Sequence, residues 1–231
     1  MKYRLHNRLG SGGFVVEATL AAAQIAFEYR PINSVPNQPL GDKIMDLNLW
    51  GQVPVLELED GTRITEVAAI LAHLSYAEPS VKHGPHIFVD DHPLFLRWTV
   101  FLAVNVYEGI LRQSYTERYF SDSNPRPGTS PSNFVVENKH LIAESICMAA
   151  SDRIHAAFKC IERESEGHKF LLSNRMSPCD VFLAMLYAWH NKKPDLPKCT
   201  WITTQIATDD IIGPIWARNF HDRLDFKWHK L

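Results

Sequence analysis

The proline at position 54 heads the clearest strand in the chain, and it constrains the fold more than any other residue. Val55, Leu56, Glu57 and Leu58 follow it. Asp60-Gly61 then marks a tight turn, and residues 62–64 read as the returning strand of a hairpin. Thr65 is placed to cap a helix, and residues 66–76 carry Ala68, Ile70, Leu71 and Leu74 at helical spacing. An X-Pro bond is the one peptide that adopts cis readily. A cis Val53-Pro54 bond is expected here, turning the chain sharply and leaving the main-chain N–H and C=O of Val53 facing outward. An extended peptide can pair with such groups. The helix opening at Glu66 would set free N–H groups where an anion fits, beside a carboxylate suited to an ammonium.

Upstream of this segment, residues 3–7 read as a short strand that ends in a glycine-rich turn, Gly10-Ser11-Gly12-Gly13. Residues 14–27 hold no Gly or Pro and are rich in Ala, Leu and Val, which reads as a buried helix. Residues 27–33 read as a strand in which Pro31 argues for an edge position, followed by a loop holding Pro36 and Pro39. The order is therefore β-α-β, then β-β-α, over residues 1–78. Pro79, Gly84, Pro85 and Pro93 mark residues 79–92 as a linker. From 93 to 231 the pattern is helical: runs at 94–120, 133–166, 177–190 and 209–224, with a Pro/Gly/Ser/Asn loop at 122–131.

The formal net charge is -2, so the basic footprint that nucleic acid or an anionic membrane requires is missing. Polar residues break every apolar stretch short of the roughly 20 residues that span a bilayer. No apolar run follows Met1-Lys2-Tyr3-Arg4, so a secretory signal is not expected. Cys147, Cys160, Cys179 and Cys199 form no C-x-x-C pair and no zinc spacing, and free thiols in a cytoplasmic protein are expected. His83, His86, Asp90, Asp91 and His92 crowd the linker and read as solvated polar residues rather than metal ligands. The glycine loop is not a dinucleotide fingerprint either, because Val15 stands where its last glycine would fall.

The stretch Gly51-Gln52-Val53-Pro54-Val55-Leu56, then Asp60-Gly61, then Thr65-Glu66-Val67, resembles the glutathione transferases. In the second half, Ser177-Pro178-Cys179-Asp180 looks like that family's buried capping box, in which Ser177 and Asp180 satisfy the same helix start. The resemblance implies an α/β thioredoxin-like N-terminal domain followed by an all-α helical-bundle C-terminal domain. It also implies glutathione as co-substrate, no metal, a small hydrophobic second substrate and a homodimer. Within the family the chain is similar to transferase-like proteins of fungal secondary metabolism, among them a pathway cis–trans isomerase.

Site residues follow position by position from that resemblance. Val53 and Pro54 would hold the cysteinyl backbone of glutathione, with Gln52 and Gln38 near its ends. Glu66 and Val67 would hold its γ-glutamyl group. Ser11 falls where a hydroxyl donates to the thiolate and lowers the thiol pKa, and Asn7 is the second candidate donor. Phe14, Phe101 and Asn105 are the expected lining of the second-substrate pocket. The family's Ser after the glutamate is Val67 here, and the lost hydrogen bond to a charged group is worth roughly 1.5–3 kcal/mol. Three activities remain open on this reading: conjugation, thiol-dependent isomerisation of a conjugated double bond, and glutathione binding without turnover.

Overall fold

The computed structural model describes residues 2–32, 42–120, 133–190 and 196–220. The chain begins with strand β1 (Tyr3–Asn7), helix α1 (Gly13–Ala22) and strand β2 (Phe27–Pro31). A four-residue helix α2 (Asp42–Met45), strands β3 (Val55–Leu58) and β4 (Arg63–Thr65), and helix α3 (Val67–Ala77) follow. The sheet order is β2-β1-β3-β4, with β1 parallel to β2 and antiparallel to β3. This is the expected thioredoxin-like βαβ-ββα arrangement, and Pro31 does close an edge strand. One sheet face carries a charged row. Arg4 bridges Glu57 at 2.6 Å and Glu28 at 3.4 Å, and Arg63 reaches Glu57 at 3.6 Å.

Helix α1 has no polar face. Every residue from Gly13 to Leu20 is buried, because the sheet packs on one side of it and the second half of the chain on the other. Residues 79–92 hold a short helix α4 (Pro79–His83) and a bridge from His83 to Phe88. Arg175 pins this stretch to the second half: it donates to the Gly84 carbonyl at 2.6 Å and lies 3.8 Å above the Phe88 ring.

Among its described residues the second half holds helices and no strand. Helix α5 (His92–Phe101) runs into a π-helical turn (Leu102–Tyr107) and then α6 (Glu108–Ser114). The combined run, His92–Ser114, is long and apolar enough to cross a membrane, contrary to the expectation from the sequence. Its side with Phe95, Trp98, Leu102, Val106 and Ile110 packs into the core instead. A 3-10 turn (Thr116–Tyr119), α7 (Asn133–Glu164), α8 (Pro178–Trp189), α9 (Pro197–Thr208) and α10 (Ile212–Phe220) complete the bundle. α9 was not expected from the sequence. The capping box is present: Asp180 accepts from the Ser177 N–H at 2.8 Å, the Ser177 hydroxyl at 2.6 Å and the Leu171 N–H at 2.8 Å. Burial dominates over these donors and pushes the Asp180 carboxyl up to about 6.

α1 joins the halves. Phe14 packs edge-on against Trp216 and Phe220, with ring centroids 5.6 and 4.9 Å away. Buried Glu17 pairs with Arg218, and Asn219 accepts from the Gly10 N–H at 2.9 Å.

Candidate functional site

Strand register brings the segments of interest to one end of the sheet. His6 pairs with Val55, and Val55 pairs with Thr65. Arg8 follows β1, Val53 precedes β3 and Val67 follows β4 at this end of the sheet. β1 and β4 both run antiparallel to β3, so the helices that follow them, α1 and α3, begin at this same end. Helix starts carry free N–H groups and partial positive charge. The segments touch: a Cβ added to Gly12 would fall 3.0 Å from Val67 Cγ2 and 3.5 Å from the Tyr107 hydroxyl.

The Val53-Pro54 peptide is cis. Pro54 is buried and Val53 half-buried, and among the described residues neither main-chain group of Val53 takes part in a hydrogen bond. Gln52 is exposed, and its carbonyl accepts from Asn48 Nδ2 at 2.8 Å. Gln38 lies outside the described residues. Glu66 caps α3 with φ 66° and ψ 121°, a left-handed backbone that costs a non-glycine residue about 1–2 kcal/mol. Its side chain is exposed and makes no hydrogen bond to the described residues. The backbone thus holds a carboxylate at the mouth of α3. Val67 is 7% exposed, and it presents a methyl to Gly12 in place of the hydroxyl that the family pattern carries.

The glycine loop folds back on β1. The Ser11 hydroxyl has two acceptors, Asn7 Oδ1 at 2.6 Å and the Arg8 carbonyl at 2.7 Å, and it receives the Gly13 N–H at 3.4 Å. With a single proton between two inward acceptors, it holds the loop closed. Asn7 is fully buried, and its Nδ2 lacks a partner among the described residues. The structure therefore brings Ser11 and Asn7 to each other, and their hydrogen bond lies inside the loop.

Tyr107 is the residue that reading the sequence did not single out for this site. It ends the π turn, and its ring packs on Phe182 and Trp189 with centroids 6.2 and 5.7 Å apart. Its hydroxyl reaches Gly12, across the junction between the halves. Burial first, and the Glu66 charge second, push this phenol up to about 12, while Arg8 pulls the other way.

The expected pocket residues separate. Phe14 is fully buried among aromatic rings, so it belongs to the core and lines no cleft. Phe101 and Asn105 border an open depression of 480 Å³ together with Leu96, Arg97, Val100 and Val104. All six come from α5 and the π turn, and no described residue of the first half lines it. Among the described residues, no cluster of three or more His, Cys, Asp or Glu is arranged to hold a metal.

With this geometry in view, comparison with known proteins is specific. Residues 15–76 match the family model described as glutathione S-transferase, N-terminal domain. An uncharacterized GST-like protein, YncG of Escherichia coli (strain K12), is 25% identical over 172 residues, 71% of this chain and 83% of that one. A glutathione transferase homologue from Sulfitobacter, solved with bound glutathione, superposes with a TM-score of 0.73 at 15% identity, covering 93% of this chain and 96% of its own. A sphingomonad glutathione S-transferase complexed with glutathione gives 0.67 at 19% identity, covering 92% and 96%. Residues 15–76 thus match the glutathione S-transferase N-terminal domain, and the chain shares the fold of these solved transferases. None of these likenesses bears on a place in fungal secondary metabolism.

Proposed function

We propose that this chain binds glutathione at the shared end of β3, α1 and α3 and uses its thiolate on a small hydrophobic electrophile. One observation carries the reading. The main chain of Val53, which makes no hydrogen bond among the described residues, and the left-handed Glu66 at the mouth of α3 both lie just beyond the last ladder pair, Val55–Thr65. The Val53 N–H and C=O pair with the cysteinyl unit of the tripeptide as a strand would. The Glu66 carboxylate takes the γ-glutamyl ammonium, and the first N–H groups of α3 take the neighbouring carboxylate. Bound in this way, the thiolate attacks an electrophilic carbon, a C–S bond forms, and the leaving group departs with its electron pair.

The exposed side chains of Leu49, Trp50, Tyr76, Val100 and Val104 support a homodimer. The four free cysteines support a reducing, cytoplasmic setting.

Calorimetric titration with glutathione, followed by an assay of chloride release from an activated chloronitrobenzene, tests the reading. Saturable binding with thioether formation supports transfer. Binding with no thioether, but with isomerisation of a cis-configured conjugated ketone, moves the activity to isomerase. Absence of glutathione binding removes the proposal.

A further inference from the structure

Where α6, α7 and the end of α8 meet, a chain of hydrogen bonds has a fixed direction. The Ser151 hydroxyl gives its proton to the Cys147 carbonyl at 2.9 Å, so it accepts from Gln113 Nε2 at 2.6 Å. Gln113 therefore turns Oε1 towards His190 Nδ1, 3.3 Å away, and that nitrogen carries a proton. The other ring nitrogen of His190, Nε2, meets Nε2 of His155 at 3.0 Å. The two rings cross at 82° with centroids 5.1 Å apart, so the Nε2 atoms are their facing corners. A bond of this kind holds one proton. His190 is 1% exposed and closes α8 beside Trp189, whose ring packs on Tyr107. His155 is half-buried on α7.

We propose that His155 and His190 form an acid-opened latch, which fastens the end of α8 to α7 and so steadies Trp189 and Tyr107 at the glutathione site. The link to that site rests on the binding reading above, since the Tyr107 hydroxyl lies beside Gly12. In the neutral pair one N–H lies between the rings. One proton taken from solvent makes one ring an imidazolium, and the bond persists, because that ring donates and the other accepts. A second proton puts N–H on both Nε2 atoms, and two cations then face each other with no acceptor between them. The latch parts. Other groups modulate this step. On α7, Asp152 and Lys159 lie one turn to either side of His155. On α6, Arg112 is next to Gln113 and paired with Glu108 at 3.2 Å. From α8 and α9 the Tyr187 and Thr200 hydroxyls bind each other at 3.0 Å, and the Phe158 ring lies 5.7 Å from the His190 ring. The negative end of α8 favours a cation on His190, and burial opposes it. An unfolded chain takes both protons near the ordinary histidine value of about 6.5, whereas the closed latch refuses the second. The stability it gives is therefore present above that range and lost as pH falls.

The test compares the parent protein with His155→Gln. The glutamine amide turns either its N–H or its oxygen to His190, so this variant stays latched in acid. Imidazole nitrogen NMR spectra of the parent should show coupling across an N–H···N bond between the two rings. That coupling should survive the first protonation and vanish with the second. From about pH 7 to about pH 5 the melting temperature of the parent should fall more steeply than that of His155→Gln. Over the same range its glutathione affinity, taken relative to His155→Gln at each pH, should drop about five- to tenfold. Two rings that titrate independently with no coupling overturn the latch, and so do parallel melting curves. A latch that opens with no change in relative affinity overturns the link to the glutathione site. If His155→Gln does not fold, the spectra of the parent decide by themselves. A parent that binds no glutathione at any pH overturns the site and the link together, and the spectra and melting curves still decide the latch.

Discussion

The Asn7 side chain lies directly against the bare Cα of Gly13: a Cβ there would fall 2.0 Å from Asn7 Oδ1 and 2.4 Å from Nδ2. Asn7 is fully buried and tied to Ser11, so it has no room to yield. Gly13→Ala should therefore destabilise the fold by about 3 kcal/mol, the upper end for overpacking, as measured by denaturant unfolding. At Gly12 the nearest obstacle is a Val67 methyl at 3.0 Å, so Gly12→Ala should cost less and remain folded. An equal loss from both substitutions would contradict this picture of the loop.

Stability and binding should separate at Glu66. Its φ of 66° lies in the region that glycine enters freely. Glu66→Gly should raise stability by about 0.5–1 kcal/mol, the relief of left-handed strain less the entropy glycine loses on folding. The same change removes the carboxylate proposed to hold the ammonium, so glutathione affinity should fall more than about tenfold. Thermal denaturation and calorimetry on one sample read both. Losses in both would mean that the residue serves only the fold.

Val67→Ser restores the hydroxyl that the family pattern carries. A hydrogen bond to a charged group should tighten glutathione binding by about tenfold. The burial of Val67 against Gly12 implies a small loss of stability alongside. Unchanged affinity in a folded variant would show that the γ-glutamyl carboxylate does not lie at this helix start.

Asp180 sets a pH dependence whose sign is fixed. Burial raises its folded value to about 6 from 3.8, so the folded chain holds a proton that the unfolded chain releases. The stability it contributes is fully present below 3.8 and is lost as pH rises through about 6. Urea denaturation of the parent and of Asp180→Asn across this window should show a steeper fall with rising pH in the parent. A separate comparison with Asp180→Ala strands three buried donors, those of Ser177 and the Leu171 N–H, at a cost of about 3 kcal/mol or more.

The parts legible in the sequence were those whose physics is local. The Asp60-Gly61 hairpin, the helix opening at Glu66 and the Ser177–Asp180 box each depend on residues a few positions apart. Helix α9 escaped notice because Thr200, Thr203, Thr204 and Ile202 are β-branched and weaken the helical signal, although Pro197 sits at its start as helix-opening prolines do. Phe14 was misplaced for a different reason. The covering residues, Trp216 and Phe220, lie about 200 positions away, and no periodicity in α1 foretells them. Tyr107 was hidden by the π turn, which adds a residue to the helical repeat and shifts everything after it to a new face.

The most direct measurement is calorimetric titration of glutathione into the parent protein and into Glu66→Gln. The account predicts saturable binding at one site per chain in the parent, weakened at least about tenfold when the carboxylate is replaced. A parent that takes up no glutathione, or a Glu66→Gln protein that binds as tightly as the parent, would contradict it.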